Sequence, residues 1–247
     1  MKTLTSRHNP LYKELTALKK DKGVMLLEGK RLVADALARG ITPRMMAVTQ
    51  GFLEDHSLSL SPDVVMPDKL FTGICETETP QGILAFFDVP WAGMEEIMEQ
   101  GSVVILDGLQ DPGNVGTLIR SAVAFGFSGV ILTEKCADHL SPKCVQSSAG
   151  TVLSLWIRRT SRYMDLVESL KRSGYMLVST DIEGSEDTSV LQHADKLLLA
   201  LGNEASGLSR ALLAASDHIV RIPMVQEKAE SLNVGACGAI CMYLSNL

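Results

Sequence analysis

From residue 101 onward the chain alternates short apolar runs with stretches of helical periodicity. "SVVIL", "GVILT", "YMLVST", "KLLLAL" and "HIVRIP" are the apolar runs. Runs that are apolar on both faces and separated by helices predict a parallel sheet covered on both sides. Ligands of such sheets sit beyond the carboxyl ends of the strands. The polar residues that follow each run are therefore the first place to look for chemistry.

The first 88 or so residues read differently. "NPLYKELTALKK" carries apolar residues at 11, 15 and 18, and "EGKRLVADALARG" repeats that helical spacing and ends on Gly40, a suitable C-cap. "MMAVT", "DVVMP" and "GILAFFDV" are strand-like, which predicts a small α/β unit. "DVPWAGMEEIMEQG" reads as a connection plus a short helix, placing the boundary near residue 92 and the domains at 1–92 and 93–247.

Charge changes the reading of the first unit. The whole chain carries a formal net charge of −6, yet residues 1–31 hold eight Lys/Arg against three acids. A local basic face binds phosphates even on an acidic protein; a solvated helix face accounts equally well for the charge alone. The stretch Ser231 to Leu247 is uncharged, but it is shorter than the roughly 20 apolar residues of a spanning helix. It reads as a buried or interface helix, and no membrane association is expected. The five cysteines are scattered without a Cys-x-x-Cys, so no metal is expected and reduced thiols in a cytoplasmic protein fit best.

Three strand ends carry unusual residues. In "LDGLQDPGNVGTLIRSAVAFG" a strand breaks into a glycine-containing turn and a helix, with Asn114 in the first turn and Arg120 six residues on. That layout suits anion capture, but no phosphate-binding lysine follows and the dinucleotide glycine fingerprint is missing, which disfavours a nicotinamide-dependent oxidoreductase. In "LLLALGNEASGLS" a leucine strand ends at Gly202, with Glu204 at the rim. In "VRIPMVQEKAESLNVGACGAICMYL" a strand spanning 219–222 leads through a polar loop to Ser231, Leu232 and Asn233 and a last helix dense in Gly, Ala and Cys. Taken singly, Asn114, Ser231 and Asn233 are equally helix caps, Arg120 a solvated side chain and Glu204 a first-turn carboxylate.

Together, in this order and spacing, the three stretches resemble the motifs of the SpoU family of RNA 2′-O-ribose methyltransferases, within the SPOUT superfamily. "DPGNVGTLIRSAVAFG", "LGNEASGLS" and "IPM…ESLNVGACGAICMYL" carry the resemblance. "LTSRHNPLYKELTALKKDKGVMLLEGKRLVADAL" and "ETPQGILAFF" are similar to the family's substrate-binding domain, whose fold is like that of a ribosomal L30e-type protein. The implied architecture is α/β: an L30e-like domain followed by a parallel-sheet methyltransferase domain tied in a deep trefoil knot. The resemblance also implies S-adenosylmethionine as cofactor, a homodimer built around the knot, and an RNA substrate, ribosomal RNA ahead of transfer RNA. A non-catalytic RNA-binding or assembly factor on the same fold is the alternative.

Carried over position by position, Asn114, Arg120, Glu204, Ser231 and Asn233 stand where the family has catalytic polar residues. Gly202, Ile222 and Leu232 match cofactor-contacting positions. Family members often have a glycine soon after the Ile-Pro-Met, whereas "VQEKAE" fills that loop here. A guanidinium is permanently protonated, so Arg120 is expected to grip an RNA phosphate rather than act as base. The proton acceptor is then the phosphate or Glu204. Arg7, Lys13 and Arg31 of the basic segment are expected to dock RNA.

Overall fold

The computed structural model describes residues 1–54, 61–90, 101–185, 187–224 and 231–247. The chain forms two compact units, Met1–Val89 and Pro90–Leu247. Most of the helix expected in "DVPWAGMEEIMEQG", and all of "VQEKAE", lie outside the described residues.

In the first unit, strands β1 (Lys2–Thr3), β2 (Val24–Glu28), β3 (Met45–Thr49), β4 (Val64–Met66) and β5 (Ile83–Asp88) form one sheet in the order β1-β4-β3-β5-β2. β5 runs antiparallel to both neighbours, and the other pairs are parallel. Helix α1 (Pro10–Leu18) begins at Asn9, whose side chain accepts from the backbone N–H of Leu11, and has proline at its first position. Its buried Leu15 and Leu18 pack with Leu70 and Phe71 of α4 (Asp68–Phe71) against Val24, Ala47, Leu84 and Phe86 on one face of the sheet. Helix α2 (Lys30–Ala38) packs against β2 and β5, and α3 (Gln50–Glu54) follows β3. Gly40 sits just past α2 at φ +77°, the left-handed conformation that ends helices on glycine. β2 was not expected as a strand, because "VMLLE" is short and merges with helical patterns on both sides.

In the second unit, β6 (Val103–Asp107), β7 (Gly129–Thr133), β8 (Trp156–Thr160), β9 (Met176–Thr180), β10 (Leu197–Gly202) and β11 (His218–Val220) form a parallel sheet in the order β11-β9-β10-β6-β7-β8. On one face Val103, Ile105, Ile131, Leu198 and Ala200 pack against Leu166, Val167 and Leu170 of α7 (Tyr163–Arg172) and Leu212 of α8 (Arg210–Ala215). On the other lie α5 (Pro112–Ala124), α6 (Pro142–Ser147) and the last helix, α9 (Val234–Leu244). The sheet matches the expected covered parallel sheet, with two differences. β8 carries Arg158 and Arg159 and so has no continuous apolar run; it occupies the sheet edge, where one side needs no neighbour. β11 ends at Val220 and not at residue 222, because its partner β9 ends at Thr180 and Pro223 has no N–H for a ladder. Arg221 and Ile222 are thereby freed from the sheet.

Strand order places the working end. The chain runs β6, β7, β8 in one direction, then crosses back to β9, so β6 and β10 are neighbours whose following segments diverge. Such a switch point opens a crevice at the carboxyl ends of the strands.

One close approach fixes the far side of the sheet. Gly129 lies opposite Trp156 in the β7–β8 ladder, and a Cβ on Gly129 would sit 1.9 Å from the indole ring. Gly129→Ala is expected to lower unfolding free energy by about 1–3 kcal/mol through overpacking. Urea denaturation of the two proteins measures this.

Candidate active site

Helix α5 begins where β6 ends. Its N-cap is Asp111, whose carboxylate accepts from the backbone N–H of Gly113 at 3.0 Å and from Lys143 Nζ at 2.7 Å. The lysine first, and then the Gly113 N–H, hold the Asp111 carboxyl below the usual aspartate range. Asn114, three residues inside the helix, is therefore not the cap. Its side chain is left for other partners.

Those partners come from distant parts of the chain. Asn114 Nδ2 donates to Glu204 Oε1, and Asn233 Nδ2 donates to Asn114 Oδ1 at 3.1 Å. Asn233 is the N-cap of α9, its Oδ1 accepting from the N–H groups of Gly235 at 2.9 Å and Ala236 at 3.3 Å. This bonding settles the orientation of both amides, because backbone N–H groups can only donate. Asn233 must turn its oxygen to the helix and its nitrogen to Asn114, and Asn114 must turn its own nitrogen to a carboxylate.

Glu204 is positioned by Asn203. The Asn203 backbone exchanges hydrogen bonds with Gly207, its Oδ1 accepts from the N–H groups of Ala205 and Ser206, and its Nδ2 donates to Gly108 O at 3.0 Å. The loop after β10 is thereby closed on itself and pinned to the loop after β6. Gly207 adopts φ +66°, and a Cβ on Gly202 would lie 2.4 Å from the Gly207 carbonyl carbon, so both glycines are required by the tight fold-back. Asp107, buried at the end of β6, accepts from the N–H of Ser209 and adds a second tie between the same strands.

Beside this hydrogen-bonded chain lies a cleft of about 510 Å³, a size usual for a small-molecule site. It is lined by the ends of β9 (Thr180 to Glu183), β10 (Gly202 to Gly207) and β11 (Val220 to Ile222, with Met224), and by Ser231, Leu232, Val234 and Cys237. All three residues assigned to cofactor contact, Gly202, Ile222 and Leu232, line it, as do Glu204 and Ser231. Apolar side chains of Ile182, Ile222 and Leu232 alternate with the carboxylates of Asp181, Glu183 and Glu204. Hydrogen bonds from Cys241 first, and then Thr180, hold the Cys237 thiol below the ordinary cysteine value against its burial. The thiol of Cys241 is pushed up by the same hydrogen bond and by burial.

The structure thus brings Asn114, Glu204 and Asn233 together, with Ser231 exposed on the cleft wall. Arg120 is not joined to them. It is exposed and has no hydrogen bond or ion pair among the described residues. At about 100° per residue it stands roughly 120° around α5 from Asn114, off the buried Val115, Leu118, Ile119 and Ala122. In the first unit Arg7 and Lys13 are exposed and Arg31 makes a loose 3.8 Å pair with Asp35. Asp181, Asn203 and Cys237 escaped the sequence reading. Asp181 follows β9 without a glycine-rich signal, though Gly184 nearby was a usable one: a Cβ there would lie 2.8 Å from the Val220 carbonyl.

A two-unit α/β chain with a cleft at the carboxyl ends of three parallel strands, bordered by a glutamate that is hydrogen-bonded to a pair of linked asparagines, defines a ligand-binding enzyme class. Residues 101–243 match the SpoU rRNA Methylase family, and residues 9–85 match the MRM3-like substrate binding domain. The chain belongs to the SpoU rRNA methylase family. It is 30% identical to the 23S rRNA (guanosine(2553)-2′-O)-methyltransferase RlmP of Bacillus subtilis, over 98% of each chain. An uncharacterized tRNA/rRNA methyltransferase of Synechocystis is 31% identical over 98% of this chain and 92% of its own. Among solved structures, the AdoMet-bound rRNA methyltransferase of Sinorhizobium meliloti superposes with a TM-score of 0.80 at 28% identity, covering 99% and 97% of the two chains. The SpoU methyltransferase AviRb of Streptomyces viridochromogenes with AdoMet gives 0.79 at 28% identity, covering 97% of each.

The cap and the bridging roles of Asn233 are separable. Asn233→Ala is expected to cost about 0.5–2 kcal/mol of stability through loss of the cap, whereas Asn233→Asp keeps a capping oxygen and costs less. Chemical denaturation of both variants reads the difference.

Proposed function

We propose that this protein transfers a methyl group from S-adenosylmethionine to a ribose 2′-hydroxyl of ribosomal RNA. The observation that carries this reading is the cleft formed by three strand ends, with the Asn233–Asn114–Glu204 chain at its rim. The cleft fits the cofactor in size and in chemistry: Ile182, Ile222 and Leu232 offer apolar surface for a purine, and the carboxylates suit a cation. S-adenosylmethionine supplies a methyl group already activated on a sulfonium sulfur. What the protein adds is placement of the hydroxyl and removal of its proton.

Asn114 and Asn233 hold the ribose through their remaining amide hydrogens, and Ser231 contributes a hydroxyl from the cleft wall. Oε1 of Glu204 is taken by Asn114; Oε2 remains to receive the hydroxyl proton as the new C–O bond forms. Arg120, a permanent cation with no hydrogen bond or ion pair among the described residues, clamps an RNA phosphate beside the reacting ribose. The basic first unit positions the polyanion through Arg7, Lys13 and Arg31. The same reading includes a homodimer and the trefoil knot. The dimer is supported by the exposed apolar side chains of Ile240, Tyr243 and Leu247 on and just after α9. The knot is supported by the return of the chain after edge strand β11 to pack α9 on α5 and β10. A bacterial cytoplasmic location accords with a ribosomal substrate and with five free cysteines.

The deciding experiment is incubation with labelled S-adenosylmethionine and separated ribosomal and transfer RNA pools. Label is expected in large-subunit RNA, at one alkali-resistant linkage; label confined to transfer RNA would overturn the substrate. In the same assay Arg120→Ala is expected to reduce transfer by about 100-fold or more while cofactor affinity stays near wild type. Arg120→Lys retains more than the alanine variant, since a point charge still meets phosphate. Neutralising Arg7, Lys13 and Arg31 together is expected to reduce the slope of log binding constant against log salt by about 2–3. An RNA-binding titration at several salt concentrations measures that slope.

A further inference from the structure

At the end of β9 the chain holds one carboxylate in a fixed attitude on the cleft floor. The backbone N–H of Asp181 donates to Val220 O at 3.1 Å, and its carbonyl accepts from Gly184 at 3.2 Å. Its Oδ1 accepts from the N–H of Glu183 at 2.8 Å. Gly184 abuts the Val220 carbonyl closely enough that a Cβ would not fit, which pins the far end of the same turn. The residue is therefore tied to its own loop and to β11. Its other oxygen, Oδ2, accepts no hydrogen bond among the described residues and lies 4.0 Å from where a Cβ on Gly207 would stand. A side chain held this way has little conformational freedom left to lose on binding.

Its place in the strand order says which part of a ligand it meets. Asn114 follows β6 and Glu204 follows β10, so methyl transfer belongs at that side of the cleft. Asp181 follows β9, one strand beyond β10 and about 10 Å from the β6 end at ordinary strand spacing. The ligand portion over β9 is thus not the transferable group but what is attached to it. In S-adenosylmethionine the sulfur carries two groups besides the methyl, the amino-acid chain and the ribose, and of these the ribose presents vicinal hydroxyls, donors in need of acceptors. A carboxylate has lone pairs enough to accept from both, with Oδ2 unengaged among the described residues and one side of Oδ1 in use. Ile182 and Ile222 in the same cleft lining offer apolar surface for the base.

We infer that Asp181 is the residue that recognises the ribose diol of the adenosyl cofactor, and so selects ribonucleosides over their deoxy analogues. The inference rests on the proposed cofactor, and its test does not need the transfer reaction. Asp181→Asn is the informative variant, because its Oδ1 still accepts from Glu183 and the turn is kept, while Oδ2 is replaced by a donor. Calorimetric titration would compare S-adenosylhomocysteine with its 2′-deoxyribose and 3′-deoxyribose analogues on both proteins, with thermal melting to verify an unchanged fold. Wild type is expected to bind the ribose form about tenfold or more tighter than at least one deoxy form. Asp181→Asn is expected to lose about that factor for the ribose form only, so that the discrimination collapses. Equal weakening of all three ligands, or an unaltered preference, would overturn the assignment while leaving the cofactor reading intact. No binding of any of them to the wild-type protein would remove the cofactor reading itself, and this inference with it.

Discussion

The polar chain at the rim of the cleft is tied together by one hydrogen bond, from Asn233 Nδ2 to Asn114 Oδ1, which joins residues 119 positions apart. Its direction is imposed from the helix side. The N-terminal N–H groups of α9 need an acceptor, so the Asn233 oxygen is committed to them. The amide nitrogen can then only donate, Asn114 must accept, and the Asn114 nitrogen must find an acceptor of its own in Glu204. A requirement of helix capping is thus propagated through two amides to a carboxylate. The atoms left over are amide N–H groups and a carboxylate oxygen, a set suited to the proposed task of holding a hydroxyl and taking its proton.

That bond exists only because α9 comes very near α5 and β10. A Cβ on Gly238 would lie 2.3 Å from Leu118 Cδ2 and 2.6 Å from Leu201 Cδ1, and one on Gly235 would press on Thr117. α5 is itself seated closely: a Cβ on Gly116 would strike Ser147 Oγ and the Cys144 carbonyl oxygen of α6. Absence of side chains at these helical positions costs up to roughly 1 kcal/mol each in helix propensity. The close packing they permit, over the buried Leu118, Ile119 and Leu201, offsets that cost. The glycines of the last helix therefore serve the site, by letting two helix N-termini converge on one crevice.

How much of this was legible in the sequence follows from the range of the interactions. Strands β6, β7, β9 and β10 announce themselves as apolar runs, because a buried parallel strand is apolar on both faces. β8 does not, since its two arginines are tolerated only at a sheet edge, and edge position is a property of the whole sheet. Asn114 looked as much like a cap as a site residue, and the turn Asp-Pro-Gly-Asn holds both candidates; only the φ, ψ and bonding of Asp111 decide which is which. The three motifs could be matched to a family, but that Asn114, Glu204 and Asn233 bond to one another is a fact of topology. Asp181 was overlooked for a similar reason: apart from the local sign of Gly184, its neighbours Val220 and Gly207 come from β11 and from the loop after β10.

The electrostatics of the cleft and of its surroundings pull in opposite directions. Among the described residues, Asp181, Glu183 and Glu204 give the lining three carboxylates against the one guanidinium of Arg221, which favours a cationic small ligand. The same charges repel an approaching polyanion, and at physiological salt that repulsion reaches about 8 Å. A ribose hydroxyl must nevertheless come to the rim, so cations are needed just outside the carboxylates. Arg120 stands on a face of α5 that is turned neither into the core nor onto Asn114, exposed and without a partner among the described residues. One helix thus presents polar groups on different faces: Asn114 belongs to the polar chain at the cleft, and Arg120 is proposed to meet the RNA from another face. On the role proposed for Glu204, a guanidinium moved onto the Asn114 face costs activity, because there it would pair with that carboxylate and occupy the oxygen proposed to take the proton.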